Sequence, residues 1–331
     1  MRGWIQTTHR SRVLAAFGVV LLGMGSAAAE PAPDGKIGPP PWTRLHYGLE
    51  NLAVRVNTIV SVADRSGRSV QSALWTGAND ALQPEPDDAV LVLNARIESH
   101  PKVPLMGPKA WEGTVWFLPE DARALQRTRL KLGNGGSRKV YRYSPTGVHR
   151  LRAEPDDRSE AKLPPTRWTQ VRRSEYPFPD NYSECVAISD PSALIYIAST
   201  TPLAPGDPPI ETCVFNKKTL YRVALRPVDE RSIPIRYTAV RDGTAEQVER
   251  SADVLRIRVQ AEPLDPGAPQ REPFEMLGME GGNVEILVDV AEHLPVRVSG
   301  ELPDLGRVDF NLEEVTLTSP APGALPASSV R

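Results

Sequence analysis

Residues 283–318 alternate apolar and polar side chains three times in succession, with turns between the runs. Val284, Ile286, Val288 and Val290 alternate with Glu285, Leu287 and Asp289. Leu294-Pro295 then turns the chain into Val296-Arg297-Val298, residues 300–306 close a second turn, and Val308, Phe310 and Leu312 alternate with Asp309, Asn311 and Glu313. A period of two sends successive side chains to opposite faces of a strand. The stretch therefore predicts a three-stranded antiparallel meander, buried on one face and wet on the other. In the third strand the apolar set moves from even positions to Val315 and Leu317. A strand changes its buried face only through an extra residue, which predicts a β-bulge at Glu313-Glu314. Bulges bend sheets, so the expected fold class is mainly β: a large curved antiparallel sheet, a half-barrel or open barrel, with one or two short helices.

The pattern recurs upstream. Strands are predicted at residues 52–62, 69–76, 89–99, 113–118, 129–132, 139–143, 148–153, 212–215, 220–226, 233–240 and 254–261. Asn134-Gly135-Gly136, Ser144-Pro145-Thr146-Gly147 and Gly281-Gly282 read as hairpin turns. One helix is expected, with Asp190 as N-cap, Pro191 at the first helical position and an apolar run to Ala198. Being apolar all round, it should be buried, covering or plugging the concave side of the sheet. The organisation that follows is a signal peptide at 1–29, a Pro-rich leader at 30–44, one all-β domain at 45–318 and a disordered tail at 319–331. A subdivision near 176–180 is the alternative.

The expected address is the cell envelope. Arg2, Arg10 and Arg12 precede an apolar core at 13–25 and Ala27-Ala28-Ala29, the pattern of a secretory signal peptide cut after Ala29. The alternative is an uncleaved anchor, for which the apolar run is short of the ~20 residues a span needs. No later segment is apolar enough to cross a bilayer. Losing the three arginines with the signal peptide takes the net charge from −2 to about −5, which gives no reason to expect nucleic acid. Eight lysines among 39 basic residues and 33 prolines fit the coding bias of a GC-rich bacterium, so the expected compartment is a Gram-negative periplasm, or the medium. Cys185 and Cys213 are the two cysteines of the chain; in an oxidising compartment they should form one disulfide.

No catalytic motif emerges. His46, His100, His149 and His293 lie in separate segments without metal-ligand spacing, and Asp289 with His293 reads as a surface turn. There is no nucleophile elbow, phosphate-binding glycine loop or dinucleotide fingerprint. No catalytic residue, metal or cofactor is therefore expected. Arg222, Arg226, Arg236, Arg256, Arg258 and Arg297 alternate with apolar neighbours and form either a solvated face paired with acids or a ladder for phosphates or carboxylates. Trp75, Trp111, Trp116, Phe117 and Trp168 either pack the core or line an apolar pocket. The ligand-binding candidates are Trp116, Phe117, Leu194, Tyr196, Arg256 and Arg258.

Several local sequences resemble those of a known group. Phe274-Glu275-Met276-Leu277-Gly278, Val288-Asp289, Leu294-Pro295-Val296, Val298-Ser299-Gly300, Gly306-Arg307-Val308, Ser189-Asp190-Pro191 and Pro205-Gly206-Asp207 resemble an uncharacterised family of exported proteobacterial proteins of unknown function. The resemblance covers residues 129–317, and the fold it implies is loosely that of the half-barrel of periplasmic lipoprotein carriers. These are turn and packing signatures, so no catalytic residue comes with them. Bulge, helix, address and resemblance together lead to the expectation of an exported protein holding a lipophilic or acyl ligand within its curved sheet. The alternative is a structural or assembly partner of an outer-membrane complex, docking through sheet edges or the arginine face.

Overall fold

The computed structural model describes residues 39–50, 54–102, 108–133, 135–265, 267, 272–303 and 305–318. The expected signal peptide, most of the leader and the tail lie outside the described residues. The described residues form one compact unit.

The described residues form sixteen strands and two α-helices. The first half holds β1 (Trp42–Glu50), β2 (Val54–Ser66), α1 (Gly67–Val70), β3 (Ala89–Pro101), β4 (Lys109–Phe117), β5 (Ala124–Leu132), β6 (Ser137–Tyr143), β7 (Gly147–Glu154) and β8 (Gln170–Pro177). Next come β9 (Ile188–Ser189), α2 (Ala193–Thr200), β10 (Ile210–Asn216), β11 (Thr219–Arg241) and β12 (Thr244–Pro263). β13 (Glu275–Met276), β14 (Met279–Asp289), β15 (Leu294–Leu302) and β16 (Gly306–Leu317) follow. One sheet runs in the order β8-β7-β6-β5-β4-β3-β2-β1-β16-β15-β14-β12-β11-β10-β9. Its pairings are antiparallel except β9 with β10 and β11 with β16. The second of these sets Thr238, Ala239 and Val240 beside Glu314, Val315 and Thr316, so β16, β15, β14, β12 and β11 make a closed ring.

The meander and its bulge are present as expected. β14, β15 and β16 pair antiparallel. His46 of β1 pairs with Glu314 and Tyr47 with Leu312, which leaves Glu313 as the extra residue. Leu312 and Val315 are both buried and Glu313 is exposed, so the bulge turns two differently phased apolar sets towards one core.

The inner face of the sheet is filled along most of its length. Val54, Val56, Thr58, Val60 and Val62 of β2 point inward in strict alternation, and α2 lies among the strands with residues 193–199 all buried. A helix without a polar stripe is stable only in such a place. Trp42 Nε1 donates to Ser199 Oγ at 3.1 Å, and Phe117 meets Tyr196 edge to face at 5.2 Å between ring centres. At the far ends of the sheet, Tyr141, Tyr143 and Tyr176 close on Phe215 of β10 at 5.8–6.3 Å. The Cys185 and Cys213 sulfurs sit at disulfide distance on that seam, with Cα atoms 5.6 Å apart.

Several local expectations are corrected. Residues 69–76 are no strand: α1 and a 3₁₀ turn occupy 67–73, with Ser66 Oγ accepting from the Ser69 amide, because Val70 and Leu74 are four apart and both buried. The predicted strands 220–226 and 233–240 are one strand, β11, which passes its Pro227 through a register shift opposite β12. α2 begins at Ala193, since Asp190 accepts from the Ser192 amide in a turn before the helix. Gly281 lies inside β14; the hairpin turn is Leu277-Gly278, both at positive φ. Val290 falls beyond β14 and is exposed, and Trp42 and Thr43 of the expected leader open β1. β8 was not foreseen: its residues are mostly exposed and carry no alternation.

Candidate functional site

The six ligand candidates from sequence fall in three separate places and form no single site. Phe117, Leu194 and Tyr196 are fully buried in the plug around α2. Trp116 lies on the opposite face of β4, against the cluster of Val70, Leu74, Val90 and Leu125. Arg256 grips Asp229 through two hydrogen bonds of 2.8 Å and reaches Glu285 at 3.3 Å, and Arg258 reaches the same carboxylate at 3.5 Å. The other outer-face arginines are also engaged: Arg222 with Glu184, Arg226 with Gln260, Arg236 with Glu249 and Arg297 with Asn311. This ladder is a solvated face on which Arg222, Arg236, Arg256 and Arg258 meet acids and Arg226 and Arg297 meet amides. Asp289, paired in the sequence with His293, is buried and caps the turn after β14 by accepting from the Ala291 and Glu292 amides.

A cavity of about 600 Å³ opens at the end of the sheet opposite α2. Val54 and Val56 of β2, Ile97 and Pro101 of β3, Trp111 of β4, Leu302 of β15 and Phe310 of β16 form its apolar wall, with Leu277 and Leu305 from the adjoining turns. Strand geometry explains the placement. On β4, Trp111 at the cavity and Phe117 at the plug share a face six residues apart, roughly 20 Å at 3.3 Å per residue. The helix fills one mouth of the curled sheet and leaves the other. Sequence reasoning named Trp111 as an aromatic of interest but placed the ligand beside the helix.

A second pocket, of about 240 Å³, adjoins the first and shares Arg129 and Glu275 with it. Its wall is cationic: Arg129, Lys139, Arg150, Arg152, Lys217 and Lys218 surround it with Tyr141, Glu272 and Glu275. Arg129 on β5 stands opposite Lys139 on β6, which stands opposite Arg152 on β7. Lys217 opens the two-residue turn between β10 and β11 at φ 57°, a left-handed conformation that costs a side-chain-bearing residue roughly 1–2 kcal/mol.

Glu275 joins the two spaces. It pairs with Arg129 at 2.7 Å and Lys217 at 3.2 Å, while Lys217 also meets Glu280 at 3.1 Å. Burial pushes the Glu275 carboxyl up, but Arg129, Lys217 and Arg127 outweigh it and hold the group below its ordinary value. For Lys139 only Glu272 acts upward, and it is outweighed. Burial, reinforced by Arg129, Arg152 and Arg150, lowers its ammonium to about 8. The Nε atoms of Arg150 and Arg152 are buried without a hydrogen-bond partner among the described residues.

No protein-family model matches the chain, and no curated protein matches it. Among solved structures, the crystal structure of a β-barrel-like protein of a domain of unknown function, DUF1849, from Brucella abortus is similar over 84% of this chain and 98% of its own. The identity is 8% and the TM-score 0.40.

Proposed function

We propose that the chain is an exported envelope protein that holds the lipophilic part of a small amphiphile in the cavity at the unplugged end of its sheet. The observation carrying this reading is the cavity itself: its volume falls in the ~300–1,000 Å³ range of small-molecule sites, with an apolar wall and a few charged groups gathered at one side. The ligand role expected of Phe117, Leu194 and Tyr196 passes here to Val56, Ile97, Trp111 and Phe310. Export is supported by the cysteine pair, which suits an oxidising compartment, and no helix among the described residues is long and apolar enough to cross a membrane.

Docking onto an envelope complex has less support. The arginines of the outer face are already engaged by neighbouring side chains, and the β8 edge carries Arg172, Arg173, Glu175 and Pro177, the kind of charged, proline-bearing strand that discourages edge pairing.

Native mass spectrometry of protein purified without detergent from envelope extracts should show an adduct of lipid mass, and Ile97→Trp, which narrows the cavity, should reduce its occupancy. An adduct-free protein that also takes up no fluorescent fatty acid would end this reading.

A further inference from the structure

We propose that the basic pocket receives the anionic head, phosphate or carboxylate, of the amphiphile whose chain occupies the cavity. The inference rests on the preceding reading for the chain and on separate observations for the head. Six cations face a space of about 240 Å³ against two carboxylates. Both carboxylates are engaged already: Glu272 with Lys218 at 3.1 Å, and Glu275 with Arg129 and Lys217. Arg152 leans away to Glu154 and Arg150 to Ser174 and the ring of Tyr176. Among the described residues, none forms an ion pair with Lys139.

Like charges aligned across strands repel, and a desolvated cation without a counter-charge destabilises the fold. Arg129, Lys139 and Arg152 nevertheless form an unbroken cationic row over three strands on the inner face. An incoming phosphate or carboxylate would offset that repulsion and accept hydrogen bonds from the row, whose guanidinium groups suit both anions. Since Arg129 and Glu275 border both spaces, a chain lying in the cavity brings its polar end to this row.

The test titrates inorganic phosphate, decyl phosphate and decanol, the amphiphiles below any micellar concentration, into the full chain and into Lys139→Met and Lys139→Arg. Decyl phosphate should bind about ten-fold or more tightly than decanol, as one or two charge-assisted hydrogen bonds allow. Lys139→Met should abolish that preference and leave decanol unchanged; Lys139→Arg should keep it. Methionine removes a desolvated charge, so the variant should fold at least as well, which its unfolding midpoint will report. Equal affinities for decyl phosphate and decanol, or a preference that survives Lys139→Met combined with Arg152→Gln, would overturn the proposal. Inorganic phosphate separates the two readings. If it binds in a Lys139-dependent way and decyl phosphate binds no more tightly, the anion site stands and the lipophilic cavity falls; if neither phosphate binds, the anion site falls whatever decanol does.

Discussion

Lys139 links local electrostatics to stability in a way that can be measured without any ligand. Its ammonium loses its proton near pH 8 in the folded chain, against an ordinary value of 10.5. The unfolded chain therefore binds the proton more tightly between those values, and stability should rise with pH from about 8 to 10.5. Below pH 8 the penalty is present in full. Lys139→Met should raise the unfolding midpoint at pH 7 and flatten the rise, as thermal unfolding across that window would show. At the other extreme is Asp190, fully buried, 3.1 Å from Arg127 and accepting from the Ser192 amide. Asp190→Ala leaves a buried guanidinium without its partner and should cost about 3–5 kcal/mol in urea unfolding; a loss under about 1 kcal/mol would mean the pair is solvated.

The row containing Lys139 was partly legible. Residues 129 and 139 are equidistant from the predicted turn at Asn134, and 139 and 152 from the turn at 144–147, so counting back from the turns aligns Arg129, Lys139 and Arg152. What the sequence does not show is the side on which they lie. Alternation of Arg150-Leu151-Arg152 reads as an outer, wet face, whereas the curl of the sheet puts those arginines inside.

Among the elements, the bulge in β16 is the clearest case of a slip in sequence periodicity becoming shape. Deleting Glu313 alone would restore uninterrupted pairing with β1 and keep Val315 two residues after Leu312 on the buried face, whereas deleting Glu314 as well would throw Val315, now fully buried, onto the solvent face. The double deletion should cost about 1.5–3 kcal/mol for that side chain alone, while Glu313→Ala should stay within about 0.5 kcal/mol; equal effects from both would place the bulge elsewhere. α2 was also legible, as an apolar run that only burial can stabilise. Its role was not, because a buried helix beside a curved sheet is equally a lid over a void or the filling of one. Leu194→Ala should destabilise the fold by about 2–5 kcal/mol and leave ligand affinity unchanged. A folded variant with impaired uptake would return the site to the helix. α1 was misread since a four-residue helix offers too few residues for a period of 3.6 to outweigh the β-like look of Val70 and Leu74.

On the scale of the molecule, α2 plugs one mouth of the curled sheet, β11 closes a ring onto β16, and the two sheet ends are sealed by aromatic packing on Phe215 and the cysteine pair. The unplugged mouth keeps an apolar cavity with cations beside it. None of this closure is written in local periodicity: the β11–β16 contact joins residues far apart in sequence, and a void is the absence of side chains that no single strand reports. Tryptophan fluorescence quenched by a brominated fatty acid reads the location of a bound chain most directly. Quenching should occur, should be lost in Trp111→Phe at the cavity wall, and should persist in Trp116→Phe on the other face of the same strand. No quenching at all, or quenching that depends on Trp116 and ignores Trp111, would contradict a ligand chain held at the open end of the sheet.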